Sequence, residues 1–363
     1  MRASPARLPD LFGVPLRALR FAGLTFSFMA IPSFTQGATP IRVESALRLR
    51  YDGQSRESAL GDTLRHRFRA RLRIGATRQM APDLSAGARL TTGSADPTSG
   101  NITLGDGFVK KDLRLDRLWV RWEPRPGTAL LAGKLQNPIA HEGLVWDEDV
   151  SPEGIAALLE GSGASLILGY FVLEERESDA DATVGVAQIG LARPSPNGLG
   201  WRIAGTYHEL GAVEGTSLRF SRGSNALDVE GALANDYDLI SGLVVSDWKG
   251  ARPWRCSAEA VRNVAVGHEN IGYSIELRAG SAARARDWQV MATGQRLERE
   301  AVLDALAESG WHSMRTNYEG LRLGVRTALR EGWRLSISAR LMRSLTGART
   351  HERRLTLDSE WDL

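Results

Sequence analysis

Residues 63–74 read TLRHRFRARLRI, with Arg65, Arg67, Arg69, Arg71 and Arg73 on one parity and Leu64, His66, Phe68, Ala70, Leu72 and Ile74 on the other. At 3.6 residues per turn the arginines would be smeared around a helix, whereas a period of two gathers all of them on one face of a strand. Such a strand needs an apolar medium against one face and water against the other. Two environments provide that: a soluble sheet packed on a core, and a barrel wall between lipid and an aqueous lumen.

The alternation continues on both sides of this stretch. Upstream, Ile41, Val43, Leu47, Leu49 and Tyr51 alternate with Arg42, Glu44, Arg48 and Arg50; downstream, Leu84, Ala86, Ala88 and Leu90 form one face of the next strand. Residues 112–122 are strand-like, with a change of parity near Asp116 and Arg117 that signals a bulge. Further strands are predicted over 128–135, 164–173, 183–193, 201–210, 237–247, 254–263, 272–280, 287–297, 317–329, 333–345 and 353–363, with a weaker pair between 216 and 234. The total is about 16 strands, in a range of about 14 to 18, and no segment has a convincing helical period. Two segments break the rhythm. Residues 92–107 form a Gly, Ser, Asp and Pro loop, and residues 136–163 hold Pro138, Pro152, the acid cluster Asp147, Glu148 and Asp149, and a predicted single helical turn over 152–160. Irregular stretches of that length are usually functional.

Composition narrows the choice of medium. Apolar residues make up 42% of the 363 and the mean hydropathy is -0.24, too polar for a helical membrane protein and ordinary for a barrel with a wet lumen. Residues 1–20 carry Arg2, Arg7, Arg17 and Arg20, residues 21–31 are an apolar run, and residues 32–38 are small and turn-forming. That order reads as a cleaved secretory signal peptide over 1–38, followed by one barrel over 39–363. The apolar run is about half the roughly 20 residues a spanning helix needs, and no later segment comes near one. An exported chain that resides in a membrane must then be a closed barrel, the remaining way to satisfy its backbone groups. The formal charge of +3 falls to zero once the four leader arginines and Asp10 are removed, so nucleic acid is not an expected partner. Cys256 is the sole cysteine, so it forms no internal disulfide and no thiolate metal site. Aromatic residues near strand ends, among them Tyr51, Trp122, Trp201, Trp248, Trp254, Trp288, Trp333 and Trp361, suit the interfacial girdles of a membrane barrel. The last strand alternates Leu355, Leu357, Ser359, Trp361 and Leu363 outward, as a closing barrel strand would.

Three blocks carry a family resemblance: TLGDGFVKKDLRLDR at 103–117, GKLQNP at 133–138 and LVWDEDVSPEG at 144–154. With the arginine-rich strand and the closing strand, they make the chain resemble the bacterial outer-membrane putative porins, relatives of the general trimeric porins. The resemblance implies an all-β, single transmembrane antiparallel barrel in the bacterial outer membrane, in contact with outer-membrane lipid. It also implies passive diffusion of small hydrophilic solutes or ions, a homotrimer, and a loop after GKLQNP that can fold into the lumen. The chain departs from the family in ending on Leu363 rather than Phe.

The candidate pore-lining residues are Arg65, Arg67, Arg69, Arg71 and Arg73 as a cationic ladder, Lys134, and the acids Asp147, Glu148 and Asp149 facing the ladder across a narrow aperture. An anion-favouring channel follows from that arrangement. The plainer readings are a solvated inner wall for the arginines, an extracellular acid cluster for the loop, and a neighbouring acid as partner for Lys134. A plugged structural or adhesive barrel is the alternative function, and a barrel-embedded hydrolase the third. Enzymatic signals are weak. Residues 127–134 have one residue too many between their glycines for a phosphate loop and Leu135 where Ser or Thr is required. The six histidines are dispersed without metal-ligand spacing. No catalytic residue, metal site or cofactor is assigned.

Overall fold

The computed structural model describes residues 40–363 apart from 60, 197 and 252; the signal peptide read over 1–38 lies outside the described residues. In chain order the strands are β1 (Arg42–Ser58), β2 (Thr63–Ala81), β3 (Leu84–Thr92), β4 (Ile102–Thr103), β5 (Leu113–Arg125), β6 (Thr128–Lys134), β7 (Glu153–Gly161), β8 (Ala164–Glu174) and β9 (Ala182–Arg193). They continue as β10 (Leu199–Gly211), β11 (Tyr237–Trp248), β12 (Trp254–Asn263), β13 (Ile271–Gly280), β14 (Trp288–Leu297), β15 (Tyr318–Arg330), β16 (Trp333–Ser344) and β17 (Thr350–Asp362). Neighbours pair antiparallel throughout, and β17 pairs with both β16 and β1. The result is a closed 16-strand barrel, with β4 as a short addition that pairs with β2 at Arg69 and Ala70. Closure gives each of the 16 barrel strands a hydrogen-bonded neighbour on both sides, the condition for a sheet to stand in hydrocarbon.

Alternation sorts the two walls. Leu64, Phe68 and Ile74 of β2 are exposed on the outside, as are Ile155, Leu168, Ile203, Val244, Leu277 and Leu323 on other strands, which gives an apolar belt for lipid. Short turns such as 82–83, 126–127 and 162–163 join the strands at one end. Exposed Trp122, Trp201, Trp248, Trp254 and Trp288 gather there, beside Trp333 and Trp361, whose rings stack at 5.9 Å. Tyr170, Tyr207 and Tyr273 are exposed nearer the other end. Amphipathic rings at both rims suit the two bilayer interfaces. The bulge expected near Asp116 is present: Arg89 faces Arg117 and Leu90 faces Leu115, leaving Asp116 as the extra residue.

Two local expectations are corrected. The connection after β6 spans residues 135–152, because residues 153–161 form β7 instead of a helical turn. Gly154, Ala156 and Ala157 are weak strand formers, but pairing with β6 and β8 on both sides overrides propensity. Residues 216–234 form no strand pair; a single bridge joins Leu227 to Leu233, and Leu218 and Leu233 are buried.

The connections 135–152, 212–236 and 298–317 enter the barrel and build an apolar core inside it. Leu144, Val145 and Trp146 of the first pack with Val302, Leu303 and Leu306 of the last, against Phe171, Val184, Val186 and Leu239 of the wall. The cavity left beside this core is lined by residues of β12 to β17, β1 and β2.

Candidate functional site

The arginine wall follows from strand register. Arg322, Arg340, Arg354, Gln54 and Arg65 stand in one cross-strand row through β15, β16, β17, β1 and β2. The next row runs Ser338, Thr356, Asp52, Arg67, and the one after it Arg326, Ser336, Asp358, Arg50, Arg69. Like charges facing one another across strands destabilise a sheet, so carboxylates are set among them. Asp52 is fully buried and accepts bonds from Arg67 Nη2 at 2.7 Å, Arg354 Nε at 2.8 Å and Arg354 Nη2 at 2.9 Å, with Arg69 at 3.6 Å. Asp358 accepts from Arg50 Nε at 2.6 Å. Arg65 makes no ion pair among the described residues.

The wall faces a cavity of about 620 Å³, lined by all five arginines of the ladder and by Asp147, Glu148 and Asp149. Arginines outnumber carboxylates among its lining side chains. The three acids do not act alike. Asp149 docks on the ladder, accepting from Arg73 Nη2 at 2.6 Å and Arg71 Nη1 at 3.4 Å. Burial would raise its carboxyl, but Arg73 and Arg71 outweigh burial and hold it below the usual range. Asp147 is buried in the junction between loops 135–152 and 298–317: its carboxylate accepts from the backbone N–H of Ser309 at 2.8 Å and of Asp149 at 2.8 Å, and its own N–H donates to the Leu306 carbonyl at 2.8 Å. Burial, with Glu308 and Asp149 nearby, pushes the Asp147 carboxyl well above its ordinary value. Glu148 is exposed to the cavity. The expected picture of three acids across an aperture from the ladder therefore differs in detail: one acid is bound to the ladder, one holds two loops together, and one faces open space.

Lys134 lies outside this cavity. Its Nζ donates to Glu153 Oε1 at 2.6 Å and to the Ser151 carbonyl at 3.3 Å, because Lys134 and Glu153 are direct partners on β6 and β7. Asp52, Arg322, Arg340, Arg354 and Glu308 also shape the site, and sequence reasoning did not single them out. Asp52 shares the inward parity of Arg48 and Arg50, the one signal that pointed to it. No histidine ring bonds a serine hydroxyl among the described residues: His208 accepts from Trp146 Nε1 at 3.1 Å, His312 meets Thr350 Oγ1 at 3.2 Å, and His66 meets Tyr51 at 2.6 Å. Among the described residues, no group of three or more metal-ligating side chains is arranged to hold an ion.

Comparison with known proteins agrees with this geometry. The triple mutant of the Rhodopseudomonas blastica porin is similar in structure at 12% identity and a TM-score of 0.51, over 89% of this chain and 100% of that one. OprB of Pseudomonas putida is similar at 9% identity and a TM-score of 0.58, over 88% of this chain and 94% of that one. A loop-deletion mutant of OmpT, an outer membrane protein of Vibrio cholerae, is similar at 12% identity and a TM-score of 0.52, over 88% and 99%. No curated protein matches the sequence. A family profile described as "Putative porin" matches residues 49–225 and 248–358. Because that match runs from β1 to β17 and spans most of the chain, this protein belongs to the putative-porin family and is a porin of the bacterial outer membrane.

Proposed function

We propose that this porin favours anions over cations of equal size and works as a homotrimer. The excess of arginine over carboxylate on the cavity wall carries the first part. A charged lining raises the local concentration of counter-ions, an effect that fades with ionic strength. The trimer is what the family resemblance implies. Purified protein in planar bilayers under a potassium chloride gradient tests the selectivity, with a reversal potential on the anion side expected. A reversal potential on the cation side overturns it. Chemical crosslinking of the detergent-extracted protein tests the trimer, and a ladder ending at the monomer counts against it.

The family and fold are those of a channel rather than an enzyme. A plugged barrel is the second reading, favoured by the apolar core that loops 135–152 and 298–317 build in the lumen. It predicts a folded barrel that never conducts.

A further inference from the structure

The end of the barrel that carries the long connections, the outer end where short turns are periplasmic, holds a second pocket. Its volume is about 400 Å³, within the range of sites that take small ligands. It sits one inward-facing row beyond Gln54 and Arg354, where Arg56 of β1 pairs with Glu352 of β17 and Glu352 with Met342 of β16. The acid of that row is already occupied. Glu352 is fully buried and accepts from Gln54 Nε2 at 3.2 Å, from the Ser313 N–H at 3.0 Å and from the Ser313 hydroxyl.

Two guanidiniums line the pocket, Arg56 from β1 and Arg299 from loop 298–317. Among the described residues neither side chain makes a hydrogen bond, and the Nε of each is buried without a partner. The nearest carboxylates stop short, Glu352 at 3.6 Å from Arg56 Nε and Glu269 at 3.9 Å from Arg299 Nε. Other arginines near the two barrel ends do find an acid: Arg343 bonds Glu319 at 2.6 Å, and Arg334 bonds Asp362 through two contacts of 2.8 Å. The neutral polar groups of the pocket are spent. Asn225 donates to the carbonyls of Arg299 and Val302, Asn317 is bonded to Thr346, and His312 Nε2 meets Thr350 Oγ1. What remains beside the guanidiniums is apolar. Leu227 is 44% exposed, and it lines the pocket with Met314. Two glycine turns frame these groups: a Cβ on Gly347 would lie 3.9 Å from Arg299 Nη2, and one on Gly223 3.8 Å from Leu227 Cδ1. A guanidinium without an acceptor next to an uncovered apolar surface is complementary to an anion that carries an apolar body.

We propose that this pocket is a docking subsite at the outer mouth for small carboxylic acids with an apolar body, of the size of phenylacetate. The carboxylate accepts from the guanidiniums, and the ring lies against Leu227 and Met314. Simple ions gain nothing from the apolar side and uncharged rings gain nothing from the arginines, so the pocket selects for both together. The proposal concerns equilibrium binding at the mouth, and it stands apart from the ion preference of the lumen wall.

Equilibrium dialysis of radiolabelled phenylacetate against the full-length purified protein in detergent tests it, with unlabelled acetate and benzyl alcohol as competitors. Saturable binding is expected, with each competitor at least about tenfold weaker than unlabelled phenylacetate. R56Q/R299Q is expected to weaken phenylacetate about tenfold, the factor carried by one hydrogen bond to a charged group. Leu227→Ser alters an exposed loop position and is expected to weaken it as well, so the test does not depend on a strand residue. Absence of saturable binding overturns the proposal, as does an affinity unchanged in R56Q/R299Q and in Leu227→Ser. Acetate competing as well as phenylacetate overturns it too, since the site would then read charge alone. Failure of the channel reading shows separately, as a barrel that never conducts, and failure of the anion preference as a cation-side reversal potential in potassium chloride.

Discussion

Asp52 does for the arginine wall what no single arginine does. Buried among Arg67, Arg69 and Arg354, it neutralises charge that would otherwise repel across three strands. Removing one partner from a buried ionic set costs about 3 to 5 kcal/mol, because the others are left uncompensated. Asp52→Asn is expected to lower barrel stability by that amount, read by denaturant unfolding followed through tryptophan fluorescence. Arg65 is the contrasting case, exposed and without an ion pair among the described residues. Arg65→Ser is expected to change stability by less than about 0.5 kcal/mol while moving the reversal potential toward cations; no movement would mean that Arg65 does not face the ion path. The inward direction of the arginines was legible in the sequence because a period of two needs only neighbouring residues. The pairing of Asp52 with Arg354 was not, because β1 and β17 meet only when the barrel closes.

Strands and loops were unequally legible for a physical reason. Each strand carries its own alternation between lipid and lumen, so β1, β2, β5 and β10 could be read locally, and even the Asp116 bulge left a parity change. Loops that enter the lumen have no period. The acid cluster and prolines of 135–152 drew attention, but the apolar run at 301–307, AVLDALA, looked like a gap between strands. It is a second inward loop, tied to the first through the Leu306 carbonyl and the Ser309 N–H. Asp147→Ala strands two backbone donors in a buried junction. At about 1 to 3 kcal/mol for an unsatisfied group, this is expected to free loop 135–152 for limited proteolysis in the folded barrel. Replacing 301–308 with a Gly/Ser linker removes the core partner of that loop and is expected to enlarge the conductance step; a smaller or unchanged step would mean that 298–317 does not narrow the lumen.

At the scale of the molecule, the outer belt decides the medium and the divided lumen decides the route. Leu323 stands mid-strand on β15 and is exposed outward. Leu323→Arg is expected to cost about 2 to 4 kcal/mol of folding into vesicles, the range for a cation at the bilayer midplane, and a neutral effect would place that face away from lipid. Inside, the apolar core packs on β7 to β12 and reaches Leu297, Tyr318 and Met342 on β14 to β16, while the cavity is lined by the arginines of β1 and β2, so the expected route for solutes runs along the arginine wall. Single-channel conductance of two cysteine variants in a Cys256→Ser background, treated with a charged thiol reagent, measures that route directly. Modification of Arg65→Cys is expected to reduce the conductance step and that of Val186→Cys to leave it unchanged; no change at position 65, or an equal block at position 186, would contradict a pore that runs along the arginine wall.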